Sequence, residues 1–148
     1  MTVIAIKNGI IAADSQLTVD DSLKLSCEKL FRVRDGVIGF VGATAPGNEL
    51  LHHLRKAHCT DPLPLKSEGY AREDFGALLL TRHGVYLYDN SLSPDRVTGA
   101  FFALGTGAPF ALAAMHCGRT AIESVRLAIK LNPYCGGPVR WMRLDRKA

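Results

Sequence analysis

Two apolar runs, Val3 to Ile6 and Ile10 to Ala13, flank the dipeptide Asn8-Gly9. Asn-Gly suits the two positive-φ positions of a type I′ turn, so this stretch predicts a β-hairpin. Pairing outward from the turn sets Lys7 opposite Ile10, Ile6 opposite Ile11 and Val3 opposite Asp14. Thr2 is thereby carried beside the carboxylate at the end of the second arm. Thr2 also follows Met1, and a small residue in that place is the usual condition for removing an initiator methionine. Removal would leave a threonine bearing both a hydroxyl and a free amine, a recognised activated nucleophile. Taken alone, Thr2 reads as an ordinary first-strand residue, so more of the chain has to bear on it.

With 148 residues, 47% of them hydrophobic, residues 1–148 fit one globular domain with a substantial core. The longest apolar stretches, Val37 to Ala43 and Ala100 to Leu104, fall short of the roughly 18 residues of a membrane span. No basic region precedes an apolar one at the N-terminus, so neither a membrane partner nor export is expected. Cys27, Cys59, Cys117 and Cys135 form no CxxC pair, which fits reduced thiols in the cytoplasm. His52 and His53 diverge on a helix, so together with His58 and Cys59 they read as solvated face, and neither metal nor cofactor is expected. Lys plus Arg number 18 against 14 Asp plus Glu, a net +4 that owes much to Arg140, Arg143, Arg146 and Lys147. Without a basic face interleaved with aromatics, this gives no nucleic-acid partner.

Ser15 to Ser22 is polar and reads as an exposed crossing. Lys29 to Arg34 alternates partly, Asp35-Gly36 offers a second hairpin turn, and Val37 to Val41 answers as the partner strand, ending on Gly42. Pro46-Gly47-Asn48 supplies a breaker and an N-cap for a helix over 49–58, with Leu50, Leu51, Leu54 and Ala57 on one face. Cys59 to Tyr70 reads as loop, with a short helix beginning over Ala71 to Phe75. Ala77 to Leu80 and Val85 to Tyr88 enclose Arg82-His83-Gly84 as a third hairpin, and Ala100 to Leu104 is a short apolar strand. Ala108-Pro109 opens a helix that runs to about Cys117 and stops at Gly118. The capping box Thr120 to Glu123 opens another, with Ile122, Val125 and Ile129 as its stripe and Asn132-Pro133 as its close. Val139, Trp141 and Met142 belong to a last strand. Hairpins with helices grouped between them predict an α+β layered sandwich with antiparallel sheets.

At this point five segments, in order, resemble one family. They are Thr2-Val-Ile; Ala12-Ala-Asp-Ser-Gln-Leu-Thr18; Lys29-Leu-Phe-Arg-Val with Asp35-Gly36; Gly39-Phe-Val-Gly-Ala-Thr-Ala45; and Leu104-Gly-Thr-Gly-Ala-Pro-Phe-Ala-Leu-Ala-Ala114. They resemble the proteasome β-subunits and HslV-type peptidases, which are N-terminal-nucleophile hydrolases, and the resemblance covers most of the chain. It implies a four-layer α-β-β-α sandwich of two antiparallel sheets. The family's first hairpin is longer by about two residues on each arm. A symmetric shortening keeps every side chain on its face, which supports Thr2 as the counterpart of the family's threonine.

The resemblance also implies roles. The Thr2 hydroxyl would attack a peptide carbonyl while its α-amine, of ordinary pKa roughly 7.7 to 8.0, takes the proton. Lys29 would supply positive charge beside the threonine, Asp14 would orient Lys29, and the Gly42 N–H would donate to the oxyanion. Thr106 stands where the family has a serine that bonds the threonine amine, and it could also cap the helix that follows. Without the family pattern, Asp14 reads as a turn residue, Lys29 as a strand-edge lysine and Gly42 as a bend.

Asn132 and Cys135 depart from that pattern. They fall where the family has an aspartate and then a serine or threonine ahead of glycine, so a charge becomes an amide and a hydroxyl a poorly bonding thiol. Cys135 has no histidine near it in sequence to make it a nucleophile itself. The expected partners are a peptide or unfolded-protein substrate, further copies in a homo-oligomeric ring and an ATPase unfoldase. The stretch between the first helix and the third hairpin is shorter than in HslV, which bears on ring and ATPase contacts. Two other functions fit the same residues: a catalytically silent assembly subunit, and an amidase acting on a small amide.

Overall fold

The computed structural model describes residues 2–63 and 74–144. Asn8 (φ 53°) and Gly9 (φ 73°) both take the left-handed conformation of a type I′ turn, joining β1 (Ile4–Lys7) to β2 (Ile10–Ala13). The register is the expected one, with Lys7 opposite Ile10 and Ile6 opposite Ile11. Beyond the strands the Asp14 N–H donates to the Val3 carbonyl at 3.2 Å, so the pairing continues to the carboxylate.

This hairpin forms the centre of a four-stranded antiparallel sheet, ordered β10 (Phe101–Leu104), β1, β2, β11 (Arg140–Arg143). A second antiparallel sheet runs β5 (Leu30–Arg32), β6 (Gly36–Gly42), β7 (Phe75–Thr81), β8 (Gly84–Tyr88), β9 (Asp95–Val97). Alternation along the strands sorts side chains into three cores. Ile4, Ile6, Ile11 and Ala13 of the first sheet meet Val37, Leu78, Leu80 and Val85 of the second. On the first sheet's outer face, Ala5 and Ala12 lie under α2 (Ala108–His116) and α3 (Ala121–Leu131), against Met115, Val125 and Ala128. On the second sheet's outer face, Ile38, Ala77 and Leu79 pack against Leu50, Leu51 and Leu54 of α1 (Thr44–Lys56). The layers are therefore α-β-β-α. Each fully buried Leu, Ile or Val stabilises this arrangement by about 1.5–3 kcal/mol.

Four local expectations are corrected. Ser15 to Ser22 is not a crossing: β3 (Gln16–Val19) and β4 (Leu23–Ser26) form a further hairpin, turned by Asp20 and Asp21, both with positive φ. Asp reaches that region more readily than most residues, but the pair carries no glycine to announce the turn. In the second hairpin the tip is Arg34-Asp35 rather than Asp35-Gly36, because the Val33 N–H donates to the Gly36 carbonyl at 2.9 Å. Helix α1 begins five residues before the expected Glu49. Pro46 sits in its first turn, where no N–H is missed, and Gly47 lets the helix press on Phe40. Phe75 opens β7 instead of belonging to the helix expected to begin over Ala71 to Phe75. The rest of that expected helix, and most of the loop before it, fall outside the described residues. The short strand β9 was also not expected.

Candidate active site

Thr2 and Asp14 are neighbours because the first hairpin makes them so, and the carboxylate is fully buried. A buried carboxylate needs partners, and three are present. Its Oδ1 accepts from the Val3 N–H at 3.2 Å and from Lys29 Nζ at 2.9 Å, while its Oδ2 accepts from the Gly136 N–H at 3.1 Å. Lys29, only 8% exposed, lies just before β5 and reaches back to the first sheet. Its Nζ also donates to the Thr2 hydroxyl at 2.9 Å. One ammonium thus bridges a buried hydroxyl and a buried carboxylate. Such an ion pair lowers the cost of negative charge on the hydroxyl oxygen.

The Thr2 carbonyl is held from the other side by the Gly-Thr-Gly turn after β10. Gly105 has φ +100°, and a Cβ there would fall on the Thr2 carbonyl. The Gly107 N–H donates to that same carbonyl at 3.3 Å. Gly107 is tight as well, since a Cβ would stand 2.7 Å from Val3 Cβ and 3.0 Å from Cys135 Sγ. Thr106, between the two glycines, is exposed and does not cap α2, whose N-cap is Gly107 without a side-chain bond. Its hydroxyl lies near enough to the Cys135 sulfur to pull that thiol's pKa down.

Cys135 is 3% exposed. Burial, and then the charge of Asp14, raise its thiol pKa above 9.0, against the opposing pull of the Thr106 hydroxyl and Lys29. A thiol so placed stays protonated near neutral pH and is a poor nucleophile. Asn132 caps the C-terminus of α3, and its Oδ1 accepts from the Tyr134 N–H at 2.9 Å, which shapes the turn leading to Cys135. Gly42 closes β6 with φ +87°, where a Cβ would meet the Asp74 carbonyl. The geometry therefore brings Thr2, Asp14, Lys29, Cys135 and Thr106 to one place, with Asn132 supporting from the turn and Gly42 at the strand end.

Sequence reasoning missed several supports. The Gly136 N–H fixes Asp14, the Ser15 N–H donates to the Gly136 carbonyl at 3.0 Å, and the Ser15 hydroxyl donates to the Pro138 carbonyl at 2.7 Å. A Cβ on Gly136 would collide with Gln16 Oε1. The only signal was the density of glycine at 136–137, which no local rule ties to residues 14–16.

No family model matches the sequence. In structure the chain is similar to an HslV from Trypanosoma brucei, with TM-score 0.68 and 20% identity, covering 96% of this chain and 98% of that one. It is similar also to BPH from Thiobacillus denitrificans, with TM-score 0.68 and 21% identity over 99% of both chains. The same BPH in complex with epoxomicin gives TM-score 0.68 and 22% identity over 98% and 99%. The layers, the antiparallel sheets and the near-complete coverage of these matches together mean that the chain has the fold of the HslV and proteasome-type peptidases.

Proposed function

We propose that this chain is a threonine peptidase whose nucleophile is the Thr2 hydroxyl, active once whatever precedes Thr2 has been removed. The observation that carries the reading is the placement of Lys29 Nζ at 2.9 Å from both Thr2 Oγ1 and Asp14 Oδ1. The freed α-amine of Thr2 accepts the hydroxyl proton as the oxygen attacks a peptide carbonyl. Lys29 stabilises the developing charge on Oγ1, and the Gly42 N–H receives the tetrahedral oxyanion. The amine then returns its proton to the leaving nitrogen, and water hydrolyses the Thr2 ester. Asp14 holds Lys29, while Thr106, Asn132 and Cys135 hold the turns around Thr2. The substrate is a peptide or unfolded protein, enclosed in a homo-oligomeric ring in the cytoplasm and fed by an ATPase unfoldase.

The complex of the similar BPH with epoxomicin, a peptide epoxyketone, supports the choice of test. Protein whose first residue is Thr2, established by intact mass and N-terminal sequencing, should form an epoxyketone adduct on Thr2, and Thr2→Ala should abolish adduct and turnover. An adduct elsewhere, or none on protein beginning at Thr2, would overturn the reading. A silent assembly subunit is the second reading, and the amide at Asn132 with the buried, protonated Cys135 is what favours it.

A further inference from the structure

The hairpin β3–β4 is a sheet of two strands by itself. Its register puts Leu17 opposite Leu25 and Val19 opposite Leu23, so all four side chains share one face. That face is open: Leu17, Leu23 and Leu25 are 44%, 53% and 48% exposed. An isolated two-stranded hairpin is marginal in water, and one with an uncovered leucine face more so. Its tip is acidic, formed by Asp20 and Asp21.

Elsewhere on the same chain is a bowl of opposite sign. The β5–β6 and β7–β8 turns and the end of α1 enclose about 590 Å³, lined by Arg32, Arg34, Arg82, His58 and, on its apolar side, Val33. Asp35 is the carboxylate in this lining among the described residues, and it is occupied: its Oδ1 lies 2.7 Å from His58 Nδ1, and its Oδ2 accepts from the Cys59 N–H at 2.7 Å. Among the described residues, Arg34, whose guanidinium donates to the uncharged Lys56 carbonyl at 2.9 Å, and Arg82 keep this lining basic. One surface is apolar with an acidic tip, the other concave and basic, and in sequence the hairpin precedes β5 while the Val33 to Gly36 part of the bowl follows it.

We propose that the β3–β4 hairpin of one copy docks into the Arg34 and Arg82 bowl of the next, a head-to-tail contact between two different surfaces of the same chain. Repeated with a rotation that brings the last copy back to the first and no translation, such a contact builds a ring. This rests on the ring in the proposed function and names the surfaces that would build it. Opposite charges across the contact set which edge meets which, and the leucine face supplies the apolar area.

The test is a reciprocal charge exchange read by light scattering, with circular dichroism to establish that each variant is folded. Asp20→Lys with Asp21→Lys should yield monomers, as should Arg34→Glu with Arg82→Glu. Mixed in equal amounts the two folded variants should reassemble, because each supplies the surface that the other now fits. Unaltered protein that is monomeric at micromolar concentration overturns both the ring and this contact. Oligomeric protein whose size ignores both exchanges leaves the ring standing and overturns only the contact. Dissociation by the tip exchange alone, or dissociation by both without rescue on mixing, also overturns it, the former in favour of hairpins paired with themselves.

Discussion

The carbonyl of Thr2 occupies the space that a side chain on Gly105 would need. Gly105→Ala would add both a collision with backbone and the strain of a β-carbon at φ +100°. We expect it to destabilise the protein by several kcal/mol and to displace Thr2. Gly136→Ala meets the far end of the Gln16 side chain, which can swing aside, and should cost roughly 1 kcal/mol. Chemical denaturation of the two variants checks the order, and equal losses would contradict it.

Lys29→Met leaves the fully buried Asp14 without its cation and should destabilise by about 3–5 kcal/mol. Adding Asp14→Asn removes the stranded charge and should restore much of the stability. Peptide hydrolysis should stay down by at least about a hundredfold in both, since neither offers an ammonium to Thr2 Oγ1. Unfolding curves and turnover, measured on the same preparations, separate the two effects.

Cysteine labelling follows from burial. Near neutral pH, iodoacetamide should modify the exposed Cys117 first and spare Cys59 and Cys135, whose thiols burial pushes upward. The folded state holds the Cys135 proton more tightly than the unfolded chain does. The associated stability is therefore present below the unfolded thiol value of about 9 and lost as pH rises through the higher folded value. Cys135→Ser should flatten that alkaline decline. Mass spectrometry that finds Cys135 labelled as fast as Cys117 would refute the protected thiol.

Asn132→Asp with Cys135→Ser should raise peptide hydrolysis by about tenfold, or roughly 1.4 kcal/mol of transition-state stabilisation. An aspartate keeps the acceptor now used by the Tyr134 N–H but sets negative charge at the C-terminal end of α3. A stability loss of about 0.3–1 kcal/mol should accompany the gain. If the folded double variant and the original both lack turnover that depends on Thr2, the assembly-subunit reading replaces the peptidase.

Tyr88 is 2% exposed, and its hydroxyl finds no hydrogen-bond partner among the described residues. Tyr88→Phe removes a desolvated group without changing the ring, so the melting temperature should hold or rise. A fall of several degrees would mean that the hydroxyl is bonded in solution.

What the chain discloses from sequence depends on how local each cause is. Asn8-Gly9 dictates its own turn, and counting outward from it places Thr2 beside Asp14 without further information. Lys29 is different: nothing in its spacing points to Thr2, and only the family pattern led to it. The Asp20-Asp21 turn was missed because its backbone takes a conformation for which the residues give only a weak cue. Gly47, read as a breaker, is a packing residue whose reason is Phe40 on a neighbouring strand. Gly105, Gly107 and Gly136 are small because of residues far away in sequence, a cause that becomes visible only in three dimensions.

The Cys27 N–H donates to the Ser15 carbonyl at 2.8 Å, closing the base of the β3–β4 hairpin just inside the span from Asp14 to Lys29. Mechanically this is a clasp. By tying the two ends of the hairpin together it sends Asp14, just before the clasp, and Lys29, just after it, away side by side, so the hairpin acts as a spacer that returns the chain to where it left the first sheet.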